Sequence, residues 1–156
     1  MKNTIILLTM LLFSGIGFAQ ESNNGKQLWA KSFLNEKAPE LTVETWISKK
    51  PDTEGKFVII DFWATWCGPC RKAIPELNEI AKEFSKDVVV IGISDEPVEK
   101  IKAMKEPVIE YYYGVDTKKT MDKILEIKGI PHVIIIDPKG IVRWEGFPLL
   151  ENHKLT

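Results

Sequence analysis

The spacing of the hydrophobic residues changes at Cys67 and Cys70, from that of a buried strand before them to that of a helix after them. Phe57–Trp63 is a run of bulky and β-branched residues with a single acid in it, which is typical of a buried central strand. After Cys70 the apolar residues fall at helical spacing, and a second buried strand follows at Val88–Ile93. A strand–helix–strand unit of this length predicts two parallel strands with a right-handed crossover.

The rest of the chain predicts an α/β domain with a mixed sheet. Its 156 residues are 44% hydrophobic and 28% charged, as in an ordinary globular domain, and a formal net charge of -1 argues against a nucleic-acid partner. We predict strands over 41–47, 111–115, 133–136 and 141–144 and helices over 96–105 and 118–127, with a type I turn at Asp137-Pro138-Lys139-Gly140.

The first nineteen residues have the composition of a secretory signal. Lys2 precedes an apolar run over Ile5–Phe13, and small residues including Gly17 lead to Ala19. We predict a signal peptide over 1–19, cleaved after Ala19, and therefore an exported protein, periplasmic or extracytoplasmic, without stable membrane insertion. The alternative is an uncleaved anchor, but the apolar run is shorter than the roughly 20 residues that a spanning helix needs.

The mature chain divides into two parts. Residues 20–37 are polar and are interpreted as an extended or loosely ordered lead-in, and residues 38–156 as the folded domain.

The chain has two cysteines, separated by Gly68 and Pro69 at the predicted strand-to-helix turn. A disulfide across so short a loop stabilises a domain by only about 2 kcal/mol, so chemistry explains the pair better than stability does. Because a helix start favours negative charge, Cys67 is expected to form the attacking thiolate. Cys70 lies one turn further on and is expected to resolve the mixed disulfide.

The cysteine pair has two other interpretations. A structural zinc site needs two further ligands at a suitable spacing, whereas His132 and His153 are distant in the sequence. An inert buried pair does not fit a position between Trp66 and a helix start. We therefore predict no metal, and no cofactor, because the transferred electrons reside on sulfur.

The segment Val58–Arg71, which contains Trp66-Cys67-Gly68-Pro69-Cys70, resembles the active-site segment of thioredoxins. The resemblance continues to Pro75 and to Gly129-Ile130-Pro131. With the signal segment and an extra helical region around 96–127, the chain resembles exported thiol–disulfide oxidoreductases of the TlpA/ResA type over most of residues 38–148. This implies a thioredoxin-like mixed β-sheet flanked by helices, with an extra helical insertion before the cis-proline strand.

The resemblance implies roles for two residues outside the cysteine pair. Pro131 matches a cis-proline that would hold the backbone of Ile130 beside Cys67, where a client chain pairs in β fashion; a trans proline that opens a strand is the alternative. Asp61 matches a buried acid that exchanges protons with Cys70, its pKa raised by desolvation. The alternative is an Asp61 satisfied by a backbone group or by a lysine such as Lys56.

The residues around the cysteines are expected to form the docking surface for a client. Trp66, with Gly68 and Pro69, offers an apolar contact surface beside Cys67, whereas Trp63 is interpreted as core. His132 has two interpretations: it lies near Cys67 and tunes the thiolate, or it faces solvent at a strand end.

Two departures from the resemblance limit what it implies. Relatives tied to cytochrome maturation often carry a glutamate where this chain has Ala73, which weakens a prediction of that substrate. The family also usually adds a final helix that covers the sheet. Glu151–Thr156 would be only the approach to that helix, so we expect the C-terminal helix to be missing or truncated.

The Gly-Pro pair between the cysteines is that of thioredoxin, whose reduction potential is about -270 mV. We therefore predict a reductase that acts on disulfide-containing exported client proteins and is re-reduced by a membrane-bound electron donor. The alternative is a copper-binding or metal-delivery protein with two thiolates and His132 or His153 as Cu(I) ligands, although such proteins usually space their cysteines by three residues. A peroxidase cysteine would sit in a different local sequence, without Trp66 before it.

Overall fold

In a computed structural model, the protein is described over residues 28–148. The predicted signal peptide over 1–19, His153 and the expected approach to a final helix at Glu151–Thr156 lie outside the described residues. Within residues 28–148, no helix has both the length and the apolar composition needed to cross a bilayer.

The described chain contains six strands and three helices. The strands are β1 (Thr45–Trp46), β2 (Phe57–Phe62), β3 (Val88–Ser94), β4 (Tyr112–Val115), β5 (His132–Ile136) and β6 (Val142–Gly146), and the helices are α1 (Gly68–Glu83), α2 (Val98–Ala103) and α3 (Thr120–Leu125).

The strands form one mixed sheet in the order β1-β4-β3-β2-β5-β6. β3 pairs in parallel with β2 and with β4, whereas β5 is antiparallel to β2, β6 to β5 and β1 to β4. The predicted parallel pair flanking α1 is therefore confirmed. β2 lies inside the sheet, and this explains its almost uninterrupted apolar sequence.

The sheet separates two hydrophobic layers because successive side chains of a strand point to opposite faces. Ile59 and Trp63 pack with Ile74 and Leu77 of α1 on one face, which we call the α1 face. Val58, Ile60 and Phe62 pack with Met121 and Leu125 of α3 on the other, the α3 face. The cysteine pair and Asp61 belong to the α1 face.

Several predicted elements are shorter than the sequence pattern indicates. Of the strand predicted over 41–47, only Thr45–Trp46 is a regular strand, although the backbone N–H groups of Glu44 and Ile47 also donate to carbonyls of β4. α2 starts only after Pro97, and α3 is bounded by Lys119 and Glu126, whose φ angles of 56° and 49° are left-handed and end the helix on both sides.

The described part of the lead-in is attached to the domain. The backbone N–H of Lys31 donates to the carbonyl of Leu125 at 2.7 Å, and that of Asn35 to the carbonyl of Val142 at 2.8 Å. Lys37 forms an isolated bridge with Ile141. Residues 31–37 are therefore hydrogen-bonded to the end of α3 and to the edge strand β6.

Candidate active site

Cys67 and Cys70 form a disulfide at the start of α1, with their Cα atoms 5.3 Å apart. Cys67 is the N-cap residue, with extended φ and ψ angles of -80° and 101°, and Pro69 occupies the first turn of the helix, where a missing N–H leaves no bond unmade. The backbone N–H of Cys70 donates to Sγ of Cys67 at 3.2 Å. The sulfur of Cys67 thus sits where unpaired amide donors of the helix favour a thiolate.

Burial distinguishes the two cysteines from the residues around them. Cys70 is completely buried and Cys67 is 3% exposed, whereas the neighbouring side chain of Trp66 is 69% exposed. Gly68 and Pro69 are also exposed. Cys67 therefore lies among exposed sequence neighbours, and Cys70 lies one turn further into α1.

The Ile130–Pro131 peptide bond is cis, as the resemblance implies. Pro131 is buried and directly precedes β5, which pairs with β2, the strand that leads to Cys67. Ile130 and Trp66 line the same pocket of about 200 Å³, together with Phe62, Trp63 and Lys119. The structure thus brings the residues before the cis bond to the same edge of the sheet as the cysteine pair.

Asp61 lies in the middle of the sheet and is completely buried. Its neighbours in the adjacent strands are Gly92 of β3 and Val133 of β5, neither of which offers a side-chain donor. Neither carboxylate oxygen has a hydrogen-bond partner in the protein, so neither Lys56 nor a backbone group donates a hydrogen bond to Asp61. Desolvation raises the pKa of Asp61 from 3.8 to about 7.

His132 is completely buried, so the solvent-facing interpretation is wrong. It is paired with Phe62 across β2 and β5, and the two rings are stacked with their centroids 6.0 Å apart. His132 therefore lies on the α3 face, on the opposite side of the sheet from Asp61 and α1. Trp63 is 2% exposed and belongs to the core, as predicted.

Glu96 is a buried acid near the site that the sequence analysis did not single out. Its carboxylate accepts hydrogen bonds from the backbone N–H of Thr65 at 2.5 Å and from the Thr65 hydroxyl at 3.0 Å, and it pairs with Lys100 at 2.6 Å. Burial raises the pKa of Glu96, but the hydrogen bonds from Lys100 and Thr65 outweigh this, and the net effect lowers it. Glu96 thus holds the turn that carries Trp66 and Cys67.

A signal for Glu96 was present in the sequence. The carboxyl ends of neighbouring parallel strands lie at the same edge of a sheet, so an acid just after β3 lies beside the turn after β2. Tyr111, another buried residue of the α1 face, carries no such signal because it lies in the connection before β4.

The described residues include no group of three or more histidine, cysteine, aspartate and glutamate side chains arranged to hold a metal ion. Of the ligands considered for copper, the two cysteines are joined in the disulfide and His132 lies on the other face of the sheet.

The fold and the cysteine pair together define a thioredoxin-like thiol–disulfide oxidoreductase. The chain belongs to the AhpC/TSA family, whose sequence model matches residues 34–145.

Three similar proteins illustrate this relationship. The thiol-disulfide oxidoreductase ResA of Bacillus subtilis is 26% identical over 111 residues, which cover 67% of this chain and 62% of ResA. The thiol:disulfide interchange protein DsbE of Pseudomonas aeruginosa is 29% identical over 154 residues, covering 92% of this chain and 83% of DsbE. A solution structure of a putative protein disulfide isomerase from Bacteroides thetaiotaomicron superposes with a TM-score of 0.69 at 30% identity, covering 81% of this chain and 86% of that one.

Proposed function

We propose that the protein reduces disulfides of exported client proteins, with Cys67 as the attacking thiol and Cys70 as the resolving thiol. The observation that carries this proposal is the position of the pair. Cys67 caps α1 between the exposed residues Trp66 and Gly68, and Cys70 lies completely buried one turn behind it. A client sulfur that approaches this surface meets Cys67 first.

The reaction consists of two exchange steps. The Cys67 thiolate attacks one sulfur of the client disulfide, and the other client sulfur leaves as a thiolate and takes up a proton. Cys70 then loses its proton and attacks Sγ of Cys67, which releases the second client thiolate and forms the Cys67–Cys70 disulfide. Two electrons pass from the protein to the client, and a membrane-bound donor of electrons and protons returns the pair to the dithiol.

Asp61 is proposed to accept the proton of Cys70 in the second step. The burial of Asp61 on the face that packs against α1 supports this role, and its pKa of about 7 lets it gain and lose a proton near neutral pH. A carboxyl group with its usual pKa would be a much weaker base at that pH.

The client chain is proposed to lie across the surface formed by Trp66, Gly68 and Pro69 on one side and Ile130 on the other. The exposure of the first three residues and the pocket shared by Trp66 and Ile130 support this placement. The backbone of Ile130, which shares this pocket with Trp66, is proposed to pair with the client in β fashion. The signal-like segment before residue 20 supports an extracytoplasmic site of action.

Trapping with a disulfide-bonded model peptide tests the two cysteine roles. Reduced Cys70→Ser should form a persistent mixed disulfide with the peptide because the resolving thiol is missing, whereas wild-type protein should release reduced peptide. Cys67→Ser is the matched control and should trap little, since its remaining thiol is completely enclosed one turn inside α1, whereas the Cys67 thiol at the N-cap keeps 3% exposure. Equal trapping by both variants, measured by mass spectrometry of the intact adduct, would contradict the assignment.

A further inference from the structure

Asp61 shares its buried surroundings with two other polar side chains, those of Trp63 and Tyr111. The residue paired with Asp61 in β3 is Gly92, which has no side chain. A Cβ atom at Gly92 would lie 3.1 Å from Nε1 of Trp63 and 3.1 Å from Cε2 of Tyr111. Since adjacent strands are about 4.8 Å apart, the indole N–H and the phenol ring occupy the space beside Asp61 that Gly92 leaves open.

Each of these three side chains carries a polar group without a protein partner. They are both carboxylate oxygens of Asp61, Nε1 of Trp63 and the hydroxyl of Tyr111. All three residues are at most 5% exposed. Buried indole and phenol donors usually find an acceptor, and the carboxylate of Asp61 is an acceptor that lacks donors.

The electrostatics connect Tyr111 with Asp61 directly. Burial, and then the negative charge of Asp61, raise the pKa of Tyr111 well above its usual value. The phenol therefore stays protonated and is available as a donor when Asp61 is ionised.

We propose that Tyr111 is a positioning residue for proton transfer, whose hydroxyl donates a hydrogen bond to the ionised carboxylate of Asp61 across a bridging water. This inference rests on the proposed role of Asp61 and deepens it. To accept a proton from Cys70, Asp61 must first carry a negative charge inside the sheet, and an unpaired buried charge is strongly unfavourable. Hydrogen bonding to Tyr111 stabilises that charged form, with the N–H of Trp63 as a second donor nearby.

Few other titratable groups face Asp61 from the elements packed around it. In the oxidised protein the cysteines of α1 do not titrate, and β5 offers the uncharged Val133. β4 contributes Tyr113, which is paired with Gly92 and is partly exposed. Glu96 is already bound by Thr65 and Lys100, and α2 exposes its charged residues Glu99, Lys100 and Lys102.

The titration of Asp61 in the oxidised protein tests the proposal. Infrared absorption of its protonated carboxyl group, identified by subtraction of the Asp61→Asn spectrum, gives the midpoint directly. Tyr111→Phe removes the hydroxyl and keeps the ring, so the midpoint should rise by about one pH unit, as expected for the loss of one hydrogen bond to a charged group. Tyr112→Phe makes the same change on the α3 face and should leave the midpoint where it is.

A Tyr111→Phe midpoint equal to that of Tyr112→Phe, or below it, would overturn the proposal. If Tyr111→Phe does not fold, 3-fluorotyrosine at position 111 keeps the shape of the ring and makes the hydroxyl a stronger donor. It should then lower the midpoint, and an unchanged or raised midpoint would equally overturn the proposal. Because the measurement needs neither client nor electron transfer, its outcome is independent of the trapping experiment.

Discussion

A carboxyl group inside a β-sheet avoids the cost of a buried charge either by pairing with a donor or by keeping its proton. Asp61 has no protein donor at either oxygen, and burial raises its pKa to about 7. When Asp61 is ionised, it therefore lowers the stability of the protein, and its raised pKa lets it act as a base near neutral pH. A perturbed pKa of this kind is more typical of a functional residue than of one that stabilises the fold.

The pH dependence of folding provides a test at this residue. The carboxyl of Asp61 releases its proton near pH 3.8 when unfolded but near pH 7 when folded, so the folded state binds the extra proton between these values. The free energy of unfolding should then fall as the pH rises from 3.8 towards 7, by up to about 4 kcal/mol. Asp61→Asn should remove this loss and be more stable than wild type at pH 8.

Urea unfolding of both proteins from pH 4 to pH 8 measures the effect. Asp87→Asn makes the same chemical change at an exposed position and should retain the wild-type pH dependence. A wild-type curve parallel to that of Asp61→Asn over this range would show that Asp61 ionises in the folded state without penalty.

Among the elements, the site is formed at the carboxyl-terminal ends of two parallel strands. β2 and β3 end side by side, and Glu96 after β3 binds Thr65 in the turn after β2. This contact joins the turn after β3 to the turn after β2, at a point just before Cys67 in the sequence. The segment that carries Cys67 is therefore held at α1, which Cys67 caps, and at Thr65, which the Glu96 carboxylate binds.

Two substitutions at Glu96 separate its contact with Thr65 from its ion pair. Glu96→Ala leaves the Thr65 N–H without an acceptor and should destabilise the fold by about 1–3 kcal/mol, with slower attack on a model disulfide. Glu96→Gln keeps one acceptor for the Thr65 N–H, and its NH2 group can donate to the Thr65 hydroxyl in place of the second acceptor. It loses the charge that pairs with Lys100, a half-exposed side chain, so its effect should be below about 1 kcal/mol.

Glu99→Ala, an exposed substitution in the first turn of α2, controls for changes to the helix itself. Urea unfolding and the rate of reaction with the model disulfide are compared for all the variants. If Glu96→Ala matched Glu99→Ala in both measurements, Glu96 would not hold the turn.

The elements that could be predicted from the sequence are those with a strong local pattern. β2, α1 and β3 have a clear period, and the cysteine motif marks the turn between them. The limits of α3 could not be predicted, since Lys119 and Glu126 adopt left-handed conformations that local preference would assign to glycine or asparagine. Glu96 could have been placed beside the site from its position just after β3. The position of Tyr111 depends on tertiary packing, which no short pattern encodes.

In the molecule as a whole, the disulfide lies beyond the carboxyl-terminal end of the inner strand β2, and both faces of the sheet are covered. The α1 face carries Asp61 and the cysteines, and the α3 face carries His132, so the chemistry is confined to one layer. Closing the disulfide joins residues only three positions apart and leaves the remaining fold without a covalent link. The stability of the domain must therefore come mainly from its two hydrophobic layers.

The direction of electron flow can be tested by the stability of the whole protein in its two redox states. Because folding and disulfide formation are thermodynamically linked, a fold that is more stable when oxidised favours the disulfide and makes the dithiol a better reductant. The short loop alone predicts that the oxidised protein is more stable than the dithiothreitol-reduced protein by about 2 kcal/mol. Urea unfolding of both forms measures this difference, and titration against dithiothreitol and glutathione buffers should give a potential near the thioredoxin value of about -270 mV.

The opposite result would have an equally definite meaning. A reduced protein that is more stable than the oxidised one, with a potential near the value of about -120 mV found for strong oxidants, would contradict the proposed reductase. The fold and the cysteine pair would stand, but electrons would flow from the client to the protein. The Cys67→Ser, Cys70→Ser double variant is the control, since its stability should be the same with and without dithiothreitol.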